Sequence, residues 1–305
     1  MEVIIDDNSG FCFGVVRAIG EAESALERVG DVYSLGDIVH NRVEVQRLEQ
    51  LGLHTISHED MPRLEGRTLL IRAHGEPPRT YRMAEELGIT VIDATCPVVA
   101  RLQRRLREAY DKMQEVGGSV VLLGKRGHAE VIGLTGQADD DVVVVENEAD
   151  LNNVDFTRPI YFLSQTTQSI ALFNQLAEEI KARAKGVTVN IDDTICRRVA
   201  GREALLADFS RSVDVVIFVS GRKSSNGRVL YEVCRGANPR SYNVEESSEI
   251  DWSWLEGAER VGICGATYTH TLCTLEPRPI YLGALLDIVT TGVGAAAYLV
   301  EHSAI

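Results

Sequence analysis

The sequence is short of positive charge, and this shortage limits the partners that it suits. Its 305 residues include 31 Lys or Arg against 45 Asp or Glu, which gives a formal net charge of −14 at pH 7. A surface of this sign disfavours nucleic acid and anionic membrane as main partners, so we expect neither. An anionic substrate would have to be held by local groups.

The sequence also lacks the pattern of a secretory signal, because its first residues have the character of a β-strand. We therefore expect a cytoplasmic protein. One apolar stretch, residues 282–300, is nearly long enough to cross a bilayer, but it contains Asp287 and three glycines. We predict that it is a divergent tail and not a membrane anchor.

Closely spaced cysteine pairs are missing as well. The six cysteines stand far apart, at positions 12, 96, 196, 234, 264 and 273. A cytosolic chain of this length does not need disulfides, so packing or metal ligation is the expected use of these residues. Structural zinc sites usually draw on ligands a few residues apart, which these cysteines do not provide.

One local pattern occurs three times in the chain. An apolar strand ends in an acid, a cysteine follows, and an amphipathic helix begins; the three cysteines are Cys12, Cys96 and Cys196. Any one of them could be an ordinary buried cysteine. Their shared placement instead predicts three similar α/β modules, in keeping with a length that usually needs two or three domains.

Short apolar strands alternate with helical patterns along the whole chain. The clearest candidate strands are residues 32–35, 68–72, 119–124, 160–163, 213–219 and 260–264. Strands that are apolar on both faces and separated by helices predict parallel sheets. Ligands of such sheets bind beyond the carboxyl ends of the strands.

Polar side chains follow nearly every candidate strand. The candidates for ligand binding and proton transfer are His40, His74, His128, Glu130, Thr166, Ser224, Ser225, Asn226 and Thr267. Each has an ordinary alternative, since a histidine at a strand end is often a surface residue and a serine often caps a helix.

Three cysteines that meet at one polar pocket allow two kinds of metal site. One is zinc with three thiolates and a fourth ligand. The other is a cubane iron–sulfur cluster, in which three thiolates leave one iron open to a substrate oxygen. The second option points to reductive removal of a hydroxyl, or to hydration and dehydration.

Eight short motifs, taken in order, resemble the LytB family of 4-hydroxy-3-methylbut-2-enyl diphosphate reductases. They are GFCFGVVRAI at 10–19, VHNRV at 39–43, RAHG at 72–75, DATCP at 93–97, GHAE at 127–130, SQTT at 164–167, DTIC at 193–196 and SSN at 224–226. Each motif is weak alone, but eight in the right order are highly specific.

The resemblance implies three α/β modules arranged as a cloverleaf around one [4Fe–4S] cluster, held by Cys12, Cys96 and Cys196. It implies reduction of an allylic alcohol diphosphate to isopentenyl and dimethylallyl diphosphate, with electrons from a ferredoxin- or flavodoxin-type donor. The implied modules span residues 1–95, 96–195 and 196–281, and residues 282–305 form the tail. Cys234, Cys264 and Cys273 are not ligands in this interpretation.

The resemblance also implies a role for each candidate residue. Glu130 is the proton source, with Thr166 and His128 beside it. The diphosphate is bound by His40, His74, His128, Ser224, Ser225, Asn226 and Thr267. The imidazoles are expected to be able to carry positive charge when they face an anion.

The chain departs from the family pattern near its end. Thr267 stands where the family has a serine, and the motifs align nothing from Tyr268 onward. Two alternatives therefore stay open: a metal-dependent hydro-lyase that needs no reductant, and a catalytically impaired homologue that still binds the diphosphate.

Overall fold

The computed structural model describes residues 1–6, 9, 12–39, 41–245 and 247–266. This part of the chain contains twelve β-strands, which in chain order are β1 (Glu2–Ile5), β2 (Val32–Leu35), β3 (Leu53–Ile56), β4 (Thr68–Ile71), β5 (Thr90–Asp93), β6 (Ser119–Leu123), β7 (Val143–Val145), β8 (Ile160–Ser164), β9 (Val189–Ile191), β10 (Val215–Val219), β11 (Ser241–Val244) and β12 (Arg260–Gly265).

Eight α-helices alternate with these strands in the same described residues. They are α1 (Phe13–Val29), α2 (Arg42–Gln50), α3 (Pro78–Glu86), α4 (Pro97–Glu115), α5 (Ala129–Thr135), α6 (Ile170–Arg183), α7 (Arg197–Arg211) and α8 (Ser225–Ala237). Pro97 opens α4, where its missing N–H would have had no partner within the helix.

The described strands form three four-stranded sheets with one repeated strand order. The orders are β3-β2-β4-β5, β7-β6-β8-β9 and β11-β10-β12-β1, and all the pairings are parallel. Each sheet is buried on both faces: in the second, Val121 and Leu123 pack on one side, Val120 and Leu122 on the other. The prediction of three parallel α/β modules is therefore confirmed.

The first strand of the chain completes the last sheet. β1 pairs with β12, with Val3 opposite Val261 and Ile5 opposite Ile263. The interval 1–95 placed this strand in the first module, whereas its hydrogen bonds place it in the third. The pairing joins segments about 260 residues apart in the chain, and nothing in the local sequence indicates it. The divisions at residues 96 and 196 stay predictions.

Each of the three candidate cysteines lies where the chain passes from one sheet to the next. Within the described residues, the strands before them (β1, β5 and β9) are each at the edge of a sheet. The helix after each cysteine packs on the following sheet: α1 against β2 and β4, α4 against β6 and β8, and α7 against β10 and β12. Three equivalent crossings thus connect the three modules.

Each helix that follows a cysteine also carries an arginine that reaches the end of the edge strand in the sheet it covers. The contacts are Arg17 Nη1 to Thr95 O at 3.0 Å, Arg105 Nη2 to Asp192 Oδ1 at 3.1 Å, and Arg202 Nη2 to Asp6 Oδ2 at 2.7 Å. The side chains of Arg202 and Asp6 are 6 % and 5 % exposed, so this pair is fully desolvated. It attaches α7 to β1.

The apolar stretch 282–300 and the rest of the predicted tail lie outside the described residues. Among the residues that the structure describes, no helix is both long enough and apolar enough to cross a membrane.

We predict that Arg202→Met lowers the free energy of unfolding by about 3–5 kcal/mol, because the variant leaves the carboxylate of Asp6 buried without this cation. Urea unfolding of the purified protein, followed by circular dichroism, measures the change. The matched control is Arg211→Met, which removes an exposed pair with Asp208 and should change stability by less than about 1 kcal/mol. Equal effects of the two variants would contradict the prediction.

Candidate active site

The repeated strand order brings the predicted site residues to equivalent positions. In the three spatial strand orders given above, His40, His128 and Ser224 follow the second strand (β2, β6 and β10), and His74, Thr166 and Thr267 follow the third (β4, β8 and β12). Cys96, Cys196 and Cys12 follow the edge strands. Of these, His40 and Thr267 lie outside the described residues.

The three cysteines occupy the N-cap positions of α1, α4 and α7. At each of these caps the side chain makes no hydrogen bond to the first turn of its helix. All three thiols are half-buried and none forms a disulfide within the described residues. A sulfur at a cap position lies at the positive end of the helix dipole.

The glycine after Phe13 allows the first two cysteines to approach each other. A Cβ placed on Gly14 would lie 2.6 Å from the Sγ of Cys96 and 3.9 Å from the Sγ of Cys12, so any larger residue would collide with the first sulfur. Burial raises the pKa of Cys12, and the nearby charges of Cys96 and Cys196 raise it further. Cys196 is therefore close enough to Cys12 to interact with it electrostatically. Among the described residues, no three His, Cys, Asp or Glu side chains are grouped as a site for one metal ion.

Glu130 and Thr166 form a closed pair of hydrogen bonds. The backbone N–H of Thr166 donates to Oε1 of Glu130 at 2.8 Å, and its hydroxyl donates to Oε2 at 2.9 Å. The carboxyl is 1 % exposed. Thr166 follows β8, and Glu130 follows the neighbouring strand β6. Both carboxyl oxygens are thus held in one orientation by groups at the end of the adjacent strand.

Burial decides the protonation of this carboxyl. Desolvation raises the pKa of Glu130 to about 7 from an ordinary value of 4.5, although the two hydrogen bonds from Thr166 favour the carboxylate and act in the opposite direction. The loss of water outweighs the two donors. Near neutral pH the group is therefore partly protonated and can both hold and release a proton.

Backbone hydrogen bonds connect the polar site residues to the cysteines. The amide of Cys196 donates to the carbonyl of Thr166 at 2.8 Å, and the amide of Cys96 donates to the carbonyl of Ala73 at 3.0 Å. Ala73 precedes His74 in the chain. The parallel pairing thus places the Glu130–Thr166 pair beside one cysteine and His74 beside another.

The two described histidines of the predicted site are in contact. The rings of His74 and His128 meet edge to face, with their centroids 5.2 Å apart. His74 is buried at 4 % exposure. The ring of His128 also caps α5, because its Nδ1 accepts a hydrogen bond from the amide of Glu130 at 3.1 Å.

Ser224, Ser225 and Asn226 form the start of α8 and are all buried. The hydroxyl of Ser224 accepts from the amide of Gly227 at 2.9 Å, so this serine is a true N-cap. The capping that was the ordinary alternative for these residues is therefore present. It does not exclude anion binding, because the helix start supplies further N–H donors and a positive dipole end.

Arg72 is a cation that the motifs contained but that sequence reasoning did not single out. Its guanidinium lies against Gly36, where any side chain would collide with it, and it donates to the carbonyl of Asp37 at 3.3 Å. Desolvation lowers its pKa. Lys223 approaches the same Asp37 from the third module at 3.4 Å. These contacts join the segments that precede His40, His74 and Ser224.

Gln165 and Thr167 were also passed over, although both stand in the quoted SQTT motif. Gln165 is fully buried, and its amide contacts His128 and Thr167 at 3.1 Å each. The available signal was a pair of polar residues at the end of an apolar strand. A sequence cannot say that such residues are buried.

We predict that Glu130 makes stability depend on pH. An acid whose pKa is raised on folding stabilises the protein fully below its unfolded pKa, and this contribution is lost as pH rises through the folded value. The free energy of unfolding of the wild type relative to Glu130→Gln should therefore fall by about 3 kcal/mol between pH 4.5 and 8. Glu179→Gln, on the surface of α6 where the glutamate side chain is 35 % exposed, is the control and should show no such trend. A constant difference across this pH range would refute the buried acid.

The chain is similar to one known protein family. The family model described as LytB protein matches residues 3–275, and so extends past Thr267 into the segment for which the motifs gave no alignment. A relative from Parabacteroides distasonis, named 4-hydroxy-3-methylbut-2-enyl diphosphate reductase, is 53 % identical over 270 residues, which cover 88 % of this chain and 93 % of the relative.

Two solved structures have the same fold. One, titled as (E)-4-hydroxy-3-methyl-but-2-enyl diphosphate reductase, the terminal enzyme of the non-mevalonate pathway, is 33 % identical with a TM-score of 0.66; the match covers 95 % of this chain and all of the other. The corresponding reductase from Plasmodium falciparum is 24 % identical with a TM-score of 0.80, over 95 % of this chain and 87 % of that one. The family model and the bacterial relative decide the assignment: the chain belongs to the LytB family.

Proposed function

We propose that this chain is a 4-hydroxy-3-methylbut-2-enyl diphosphate reductase. It removes the allylic hydroxyl of its substrate to give isopentenyl and dimethylallyl diphosphate, the last step of the non-mevalonate isoprenoid pathway. The observation that carries the proposal is the buried acid Glu130, held by Thr166, whose carbonyl binds the amide of Cys196. A proton source thus lies next to one of the three candidate ligands.

The three thiols fit a [4Fe–4S] cluster. Cys12, Cys96 and Cys196 are soft ligands on three separate crossings, and Gly14 leaves space for two of their sulfurs to share one site. A cubane held by three thiolates keeps one iron without a protein ligand. When bound, such a cluster would supply electrons one at a time and a Lewis-acidic iron.

The overall reaction requires two electrons and two protons. One proton allows the hydroxyl to leave as water, and the other ends on carbon when the new C–H bond forms. A one-electron carrier of the ferredoxin or flavodoxin type supplies the electrons. The remaining task for the protein is to bind the diphosphate, exclude water and deliver a proton to the departing oxygen.

Glu130 is suited to protonate that oxygen. Its pKa of about 7 keeps an appreciable protonated fraction at neutral pH. The hydroxyl and amide of Thr166 hold both carboxyl oxygens, so the acid cannot rotate away from the pocket. Burial at 1 % exposure keeps the proton from bulk water until substrate is bound.

The diphosphate is bound mainly by neutral donors. His74, His128, Ser224, Ser225 and Asn226 surround the pocket with ring N–H, hydroxyl and amide groups, and the start of α8 adds backbone N–H groups. His40 and Thr267 are proposed to belong to the same set. A chain of net charge −14 can hold an anion in this way because the donors act at short range.

We predict that Glu130→Gln lowers turnover by about two to four orders of magnitude, because the amide has no proton of suitable acidity to give. Turnover is measured anaerobically with dithionite and a viologen mediator. Binding of inorganic diphosphate should stay within a few-fold of the wild type. Glu179→Gln should retain full activity, and an unchanged rate for Glu130→Gln would exclude this residue as the proton donor.

We predict that Cys96→Ser loses the cluster, because the hard hydroxyl is a poor iron ligand in this set. Iron and acid-labile sulfide, measured after anaerobic purification, should be about four per chain in the wild type and near zero in the variant. Cys234→Ser is the matched control: its thiol is fully buried in the core of the third module, so iron should be retained.

The same preparation distinguishes the alternative functions. Conversion of the substrate without consumption of reductant would identify a hydro-lyase. A full iron content with diphosphate binding but no turnover would identify an impaired homologue, and would place the defect at Thr267 or beyond. Zinc in place of iron would overturn the assignment of the three cysteines.

A further inference from the structure

Both ends of the Gln165 side chain are hydrogen-bonded. It follows β8, is 0 % exposed, and its backbone N–H donates to the carbonyl of Leu123 at 2.8 Å, which fixes it to the end of β6. Its side-chain oxygen accepts from the amide of Lys125 at 3.1 Å and from Nε2 of Gln168 at 3.0 Å. Its side-chain nitrogen lies 3.1 Å from both Nδ1 of His128 and Oγ1 of Thr167.

The orientation of this amide follows from one contact. The backbone N–H of Lys125 can only donate, so the atom of Gln165 that faces it must be the oxygen. The NH2 group must then face His128 and Thr167. A flipped amide would oppose two donors at Lys125 and would remove the donor that Gln165 offers to His128.

The orientation of the Gln165 side-chain amide in turn determines the protonation of His128. Nδ1 of His128 faces the NH2 of Gln165 and also the backbone N–H of Glu130, each at 3.1 Å. Both groups are donors, so Nδ1 must present its lone pair. In that state the ring is neutral and its proton is on Nε2.

We propose that Gln165 is a positioning residue that holds His128 as a neutral imidazole with its proton on Nε2. The chain of donors begins at the Lys125 amide, passes through Gln165 and ends at the Nε2–H of His128, so the ring offers one donor on the side away from Gln165. The same NH2 group donates to the Thr167 hydroxyl, so the hydroxyl proton of Thr167 points away from Gln165.

This assignment differs from the expectation that the pocket imidazoles can become cationic when they face an anion. At His128, a second ring proton would oppose both the Gln165 amide and the Glu130 amide. A neutral His128 also helps Glu130 to keep its proton. A cationic ring beside the Glu130 backbone would favour the Glu130 carboxylate, and the acid would lose the proton that it is proposed to deliver. The catalytic meaning of Gln165 rests on the proposed function, whereas the protonation state of His128 does not.

The test is the protonation of the His128 ring in the cluster-loaded protein, labelled with 15N-histidine and kept anaerobic and oxidised. Long-range proton–nitrogen spectra distinguish the two tautomers and the imidazolium. The seven histidines are separated by comparison with His128→Gln. We expect the wild type to show an unprotonated Nδ1 and a protonated Nε2 from pH 6 to 8.

Two variants of Gln165 remove the NH2 donor while keeping a side chain of similar size. Gln165→Glu places an acceptor opposite Nδ1, so His128 should become doubly protonated over the same pH range. Gln165→Met removes the donor, so the pKa of His128 should move toward the ordinary value of about 6.5. For Gln165→Met, affinity for inorganic diphosphate, measured by calorimetry, should then increase below that pH more than in the wild type. We expect kcat/KM of both variants to fall roughly tenfold.

Gln168→Met is the matched control, because Gln168 donates only to the oxygen of Gln165 and leaves the NH2 group in place. It should keep the wild-type ring state and activity. A wild-type ring with its proton on Nδ1, or a Gln165→Glu ring in the wild-type state, would overturn the proposal. The expected ring states in a protein that reduces no substrate would sustain the positioning role and refute the proposed function instead.

Discussion

The passage of the chain from the edge of one parallel sheet to the next is the constraint on which the rest of the structure depends. Parallel strands have their carboxyl ends on the same side, so whatever follows them gathers at one edge of the sheet. Each crossing starts at an edge strand, turns at a cysteine and continues as a helix on the neighbouring sheet. Three such crossings close into a ring because β1 completes the last sheet. Each of the three cysteines lies at one of these turning points.

The same pairing sets the chemistry of the residues around the cysteines. The end of β8 holds Thr166 between Glu130, which follows the neighbouring strand β6, and Cys196, which follows the neighbouring strand β9. An acid in this place is surrounded by sheet ends and helix starts instead of water. Its pKa rises because desolvation outweighs two good hydrogen bonds, a balance that an exposed glutamate with the same partners would not have.

In the proposed site, the direction of hydrogen bonds sets the protonation of the polar side chains more than nearby cations do. The chain is acidic overall, and the described site is lined by hydroxyls, ring nitrogens and a helix start. Backbone amides, which cannot change from donor to acceptor, orient Gln165 and through it His128. Arg72 is a partly buried cation, and its contacts lead to the loop around Asp37. The proposed neutral donor set would leave the proton on Glu130, which a cluster of cations would tend to remove.

Much of this protein was determined by local sequence. Apolar runs of a few residues give the strands, 3.6-residue periodicity gives the helices, and the repeated strand, acid and cysteine pattern indicates three modules and three candidate ligands. The short strands β3, β7 and β11 were not among the predicted ones. The residues of β3 and β11 are only partly apolar, and β7 is apolar but only three residues long.

Tertiary structure alone decided three further features: that β1 belongs to the third sheet, that Glu130 is buried, and that Gln165 faces His128. The physical reason is the range of the interactions. Propensity and periodicity act within a few residues, whereas strand pairing, desolvation and the direction of a hydrogen bond depend on groups that only the folded chain brings together.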